Sequence, residues 1–473
     1  MQDAGQAEST GRGGALRFSG PACSIGSAAE GTAMNDLTQM KQQARALREQ
    51  EKYSEAVQIY QVLWSEQRAS CNEWDGWGYA QSLRKLNRSA EALDVCREVH
   101  RLKPDFVLNR NLYAWCIWDL YIARVDDEQI AANSSEFFRA ASAILDLGEP
   151  GDYSPFARTL LRVVKYLKER PGYPAQQILE WTGKVSPDQL SPKVGIGSDG
   201  KGGQMEYASE REQWYSARCK ALREAERYQE CIDLATEALE AVQRFHHDDD
   251  VWLKYHRARA MSGLGDNAAA VDELRALLPR KKDWFVYRDI AQCLYNLGQF
   301  DEALASSLDA ALAPLPEIEN KWRLFLLMGW IIRDQGKLED AKRHVLLAAR
   351  VRQKRSDWTG TPKELAQTIA ELGVDLNSGI STDDLQQELQ RIWRSAKFAG
   401  RPRVQGMIKN LLQDRDAGFI QGQGGEDYYF KFKSFKGPHH MLQPGLAVVF
   451  YVEKNPDPSK RDIAVEIRPV NRK

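Results

Sequence analysis

The segments NLGQFDEAL (Asn296–Leu304) and DQGKLEDAK (Asp334–Lys342) decide the fold. Each reads as the end of one helix, a glycine turn and the start of a second helix. A small residue stands one or two helical turns to either side of each glycine, Ala291 and Ala303 around Gly298 and Gly329 and Ala341 around Gly336. Two antiparallel helices can approach closely at one crossing only where both carry a small side chain. The bulky residues then fill the gap to the next pair, so stacking of pairs is what buries a core.

Reading outward, the same spacing recurs with a period of roughly 34 residues. The clearest copy runs from Asp75 to Pro104, with Ala80 and Leu83 on one helix, LNRSAEAL as turn and second-helix start, Ala92 and Val99 on its inner face, and Pro104 as the closing breaker. Ala44, Leu47, Tyr53 and Ala56 precede it. Later come Cys219, Leu222, Tyr228 and Cys231, then Ala258, Gly265 and Ala270, ahead of the two opening segments. These residues resemble the tetratricopeptide repeat, in six copies between residues 36 and 350. The resemblance implies a curved helical solenoid whose concave face holds a protein or peptide partner.

The expected organisation follows from where this period holds. Residues 1–33 are small, polar and Gly-rich and read as a disordered extension, with Met34 opening the first helix and the upstream piece read as non-native or an over-long start. Residues 34–192 are N-terminal helical repeats that degenerate after residue 105, 193–205 a Gly-rich loop, and 206–355 a second set of repeats. Residues 356–398 read as connecting helices with N-caps at Thr361 and Ser381. Residues 399–473 are a separate β-rich unit, entered through the linker AGRPR (Ala399–Arg403).

In that terminal unit five segments have strand character: VQGMIKNLL, AGFIQG, DYYFKFKSF, LAVVFYVEK and DIAVEIRPV. Five short strands separated by Gly, Pro and Asp/Asn turns predict a small closed barrel of the oligonucleotide-binding type. In DYYFKF, alternation puts Tyr429 and Lys431 on one face and Tyr428, Phe430 and Phe432 on the other. Charge singles out the same end: residues 401–473 hold 13 Lys/Arg against 8 Asp/Glu, within a chain of net charge −1. A polyanion would bind there.

The segments GMIK, AGFI, GGED, YYFKF and LQPGLAVVFYVE together resemble the cold-shock domain over about 70 residues. The resemblance implies binding of single-stranded RNA or DNA through Lys409, Arg415, Phe419, Tyr429, Lys431, Phe432 and Lys433. Three positions depart from the family: Asn410 replaces a stacking tryptophan, Ala417 a stacking phenylalanine and Asp416 a glycine. Each base–aromatic stack contributes about 1–3 kcal/mol, so two missing platforms predict weak binding, offset in part by Lys431, Lys433 and Lys436 through phosphate contacts.

Other motifs argue against chemistry. GIGSDGK satisfies G-x-G-x-x-G through Gly195, Gly197 and Gly200, but no strand precedes it and Gly202 stands where a P-loop has Ser or Thr, so a solvated loop is expected. HHDDD (His246–Asp250) reads as a polar inter-repeat turn, because adjacent residues cannot close a metal tetrahedron by themselves. His439 and His440 lie in a loop of the terminal unit. Trp115, Trp118, Trp322 and Trp330 fall at helical spacing and read as core. Seven cysteines without C-x-x-C spacing suit buried thiols of a reducing cytoplasm. The longest apolar run, LFLLMGWII (Leu324–Ile332), is about half a bilayer span.

The fold class predicted is mainly α, a tetratricopeptide-like solenoid followed by a five-stranded barrel. The function predicted is a non-enzymatic cytoplasmic adaptor with no catalytic residue, metal, cofactor or membrane partner. The alternative is a pure protein-interaction scaffold whose barrel no longer binds nucleic acid.

Overall fold

The structure, a computed structural model, describes residues 26–151, 154–198, 200, 203–314, 316–355, 360–455 and 459–470, with side chains from Asn35 onward. It divides into two compact units, Met1–Tyr166 and Leu167–Lys473.

The first unit carries helices α1 (Gly26–Glu49), α2 (Tyr53–Glu66), α3 (Glu73–Lys85), α4 (Ser89–Leu102), α5 (Val107–Tyr121), α6 (Asp127–Ala132), α7 (Ser134–Leu147) and most of α8 (Phe156–Glu169). Helix α1 begins ahead of Met34, where the first helix was expected. Residues 1–25, including Cys23, lie outside the described residues. After α4 the hairpins become irregular: α5 packs on α7, and only the short α6 lies between them.

The second unit opens with α9 (Ala175–Gly183) and continues with α10 (Glu210–Glu224), α11 (Tyr228–Ala241), α12 (Asp249–Gly263), α13 (Asn267–Leu277), α14 (Trp284–Asn296), α15 (Phe300–Leu312), α16 (Trp322–Asp334) and α17 (Leu338–Gln353). All six repeat copies are helical hairpins: α1–α2, α3–α4, α10–α11, α12–α13, α14–α15 and α16–α17. Their paired small residues are fully buried at the crossings, among them Ala80 with Ala92, Cys219 with Cys231 and Ala291 with Ala303.

One turn geometry serves all six hairpins. The second residue after each first helix has positive φ: Glu51, Asn87, Glu226, Gly265, Gly298 and Gly336. At Gly298 the amide donates to the Tyr295 carbonyl and the next amide, of Gln299, to that of Leu294. The other five turns repeat this pair of bonds, which is the Schellman arrangement that satisfies the last carbonyls of a helix.

Two expectations are corrected here. The Gly-rich stretch contains an antiparallel hairpin, β1 (Gly195–Ser198) with β2 (Gln204–Tyr207), because Ile196, Met205 and Tyr207 alternate with small and polar residues. Asp199, Lys201 and Gly202 lie outside the described residues. Of the two predicted caps, Ser381 accepts from the Asp384 amide, but the other helix is preceded by Pro362 without a side-chain cap, and Thr361 lies one residue too early. The HHDDD segment ends the turn between α11 and α12 and opens α12: His246 hydrogen-bonds the buried Glu212, while Asp248 and Asp250 pair with Arg280.

Helix α16 explains LFLLMGWII. Its Leu327 and Ile331 join the core of the preceding hairpins, while Phe325, Met328 and Ile332 join the following one, so it is apolar on all sides. Helices α18 (Lys363–Leu372) and α19 (Thr382–Lys397) close that second core through Leu365, Leu385, Leu389 and Trp393. Of the four singled-out tryptophans Trp322 is buried, and Trp115, Trp118 and Trp330 are half-buried.

The last strands are β3 (Val404–Leu412), β4 (Ala417–Gly422), β5 (Asp427–Lys431), β6 (Ala447–Glu453) and β7 (Ile463–Pro469). They close a barrel in the order β3-β4-β5-β7-β6, antiparallel except for the parallel pair β5–β7. Strand β3 pairs with both β4 and β6 and carries a bulge between Ile408 and Asn410. Ile408, Ile420, Phe430, Val448, Phe450, Ala464 and Ile467 fill the interior. Gly418 is needed there: a Cβ would come within 2.6 Å of the Asn410 carbonyl oxygen and 2.7 Å of the Phe430 ring.

Candidate nucleic-acid interface

Alternation along β4 and β5 turns Ile420 and Phe430 into the barrel and leaves Phe419 and Tyr429 on its outside. The two are cross-strand partners in the register, half-buried, with ring centroids 5.7 Å apart at 65°. Such a pair, apolar yet partly open to solvent, can serve as a stacking platform for unpaired bases.

Around this pair sits a small charged network. Lys409, at the β3 bulge, places its Nζ 2.8 Å from Asp427 Oδ2. The guanidinium of Arg461 lies 5.0 Å from the Phe419 ring and 3.5 Å from the same carboxylate. The Lys409 ammonium holds the Asp427 carboxyl below its usual range. Two cations therefore already share one anion at the platform's edge, and a phosphate would have to compete with Asp427 for them.

The remaining residues divide. Lys431 continues the outer face of β5 and is exposed, and Lys433 is exposed in the turn that follows. Arg415 is exposed and pairs with its neighbour Asp414 at 3.3 Å. Phe432 leaves the set: it is only 8% exposed, packs in the barrel core and lies 6.1 Å from the Phe430 ring. Alternation had put it on the Phe430 face, and only the family resemblance had put it among the binding residues. Ala417 is fully buried opposite Lys431, Asn410 is exposed, and Asp416 has φ 45°, a conformation that suits the glycine of the family pattern.

Arg461 is the residue that sequence reading missed. It lies just before β7, some forty residues after Phe419, and no local pattern ties the two. The parallel β5–β7 pairing brings them together, through the Tyr429 amide donating to the Asp462 carbonyl.

Among the described residues no group of three or more His, Cys, Asp or Glu is arranged to hold a metal, and no helix is long and apolar enough to cross a membrane. No family model and no curated protein matches the chain. Among solved structures it is similar to a tetratricopeptide repeat protein from Parabacteroides merdae ATCC 43184, at 12% identity over 72% of this chain and 100% of that one, with a TM-score of 0.29. It is also similar to BtubC (BKLC) from P. vanneervenii, at 13% identity over 59% of this chain and 94% of that one, with a TM-score of 0.29.

Proposed function

We propose that this chain is a non-enzymatic adaptor whose helical hairpins hold a protein or peptide partner and whose barrel engages single-stranded RNA or DNA. The observation that carries the nucleic-acid half is the Phe419–Tyr429 pair, on adjacent strands and outside the core. The strand order and the parallel closing pair support an oligonucleotide-binding type of barrel, in which the second and third strands carry the binding face. The working set is Lys409, Phe419, Tyr429, Lys431, Lys433 and Arg461, with Arg415 at its edge. The hairpin half rests on the repeats, two stacked in the first unit and four in the second, since arrays of this kind present extended concave surfaces to a partner.

Asp427 favours the second reading, a barrel given over to protein contacts, because it occupies both Lys409 and Arg461. Anisotropy of a labelled single-stranded oligonucleotide with the full chain at low salt separates the two. Phe419→Ala or Tyr429→Ala is expected to weaken binding about 5- to 150-fold, from a stacking loss of about 1–3 kcal/mol. Asp427→Asn is expected to tighten it by releasing both cations. Absence of binding at low salt in the wild type and in Asp427→Asn would sink the nucleic-acid half and leave the scaffold reading.

A further inference from the structure

We propose that a cavity between the C-terminal end of α19, the Ala399–Arg403 connection and strands β6 and β7 is a phosphate-binding site. It encloses about 550 Å3 and shares no residue with the Phe419–Tyr429 face. Five arginines line it: Arg391, Arg394, Arg401, Arg403 and Arg468. Glu466 is the one carboxylate in its wall. That carboxylate is already engaged, with Oε1 3.7 Å from Arg394 Nε and 3.4 Å from Lys436 Nζ. Among the described residues, Arg391, Arg401, Arg403 and Arg468 have no carboxylate at ion-pairing distance.

This departs from the rest of the chain, where 65 Lys/Arg face 66 Asp/Glu and arginines such as Arg84, Arg257 and Arg280 each meet an acid. Like charges gathered around one cavity repel, and a multivalent oxyanion relieves that repulsion. Two of the guanidiniums are also held in place without spending their charge. Arg403 Nε donates to the Tyr451 hydroxyl at 2.9 Å, and its guanidinium lies 5.4 Å from that ring. Arg401 lies 5.7 Å from the Phe398 ring, and Phe398 stacks on Tyr451 at 4.4 Å and 14°. Fixed guanidinium forks suit phosphate oxygens. Four unmatched cations exceed what a lone carboxylate would neutralise, which points to a ligand carrying several phosphate charges.

The phosphates could belong to a polynucleotide backbone or to a free polyphosphate, and the test separates the two. Sodium tripolyphosphate is titrated into the full chain by calorimetry, and a labelled single-stranded oligonucleotide is followed in parallel across a salt series. We expect saturable tripolyphosphate binding near one per chain, weakened at least tenfold in Arg401→Ala/Arg468→Ala and unchanged in Phe419→Ala/Tyr429→Ala. Both arginines are exposed, so the ligand-free melting temperature of that variant is expected to stay unchanged or rise. A backbone source adds a loss of oligonucleotide affinity in the arginine variant, with a salt slope shallower by about 1.4 for two lost phosphate contacts. A free polyphosphate source leaves oligonucleotide binding unmoved. Tripolyphosphate binding that is absent, or equal in wild type and the arginine variant, overturns the site whatever the barrel's aromatic face does.

Discussion

At the residue scale, the six hairpin turns share one left-handed position, filled by glycine in Gly265, Gly298 and Gly336 but by Glu51, Asn87 and Glu226 in the other three. A glutamate there carries a Cβ penalty of about 1 kcal/mol that asparagine partly escapes and glycine avoids. Glu226→Gly is therefore expected to stabilise the second unit by roughly 0.5–1 kcal/mol, less the added entropy of the unfolded glycine, with Asn87→Gly giving a smaller gain. Urea unfolding midpoints would test this, and a loss of stability in Glu226→Gly would mean that the glutamate side chain holds the turn. The glycines of NLGQFDEAL and DQGKLEDAK made these turns readable in sequence. The same conformation at Glu226 carries no such signal, because its Schellman bonds are made by the backbone.

At the element scale, α19 joins the helical array to the barrel. Trp393 is 1% exposed, stacks on Phe325 at 5.4 Å and 14°, and donates from Nε1 to His344 Nε2 at 2.9 Å. His344 Nδ1 lies 2.7 Å from the Asp340 carbonyl oxygen, so the buried imidazole is neutral with its proton on Nδ1. Trp393→Ala is expected to cost about 3–5 kcal/mol, since it opens a cavity and leaves His344 Nε2 unpaired. Burial lowers the His344 pKa to about 4. Between the unfolded value near 6.5 and that point, only the unfolded chain takes up this proton, so stability is full above about pH 6.5 and falls as pH drops towards 4, by roughly 3 kcal/mol. His256, buried and accepting from Arg223 Nε, is lowered for the same reason, burial first and the Arg223 charge second, and adds in the same direction. Denaturant midpoints from pH 7.5 to 4.5 would show the decline, and His344→Gln should flatten it. An unchanged slope in that variant would assign the acid sensitivity elsewhere.

At the scale of the whole molecule, the second unit combines an array stacked hairpin by hairpin with a closed barrel, and Lys397 ties one to the other. Its Nζ lies 2.9 Å from Asp309 on α15 and 2.9 Å from Glu453 on β6. Burial pulls its pKa down, but the two carboxylates outweigh that and hold it above the usual lysine value. Lys397→Ala leaves two acids facing each other without a cation. We expect faster amide exchange in β6 and β7 while α12 and α13 keep their protection, and equal exchange in wild type and variant would show that the apolar contacts of α19 suffice. By itself, the sequence determined the hairpins, their crossings and the five strands, because these follow from local periodicity, turn residues and small side chains a few positions apart. It also put Phe419 and Tyr429 on strands that are neighbours in the chain. Only the tertiary structure decided the rest: Arg461 brought over Phe419 by a parallel pairing, and arginines from α19, the linker and β7 collected around one cavity. Those outcomes depend on contacts between residues tens of positions apart, which leave no period in the sequence to read.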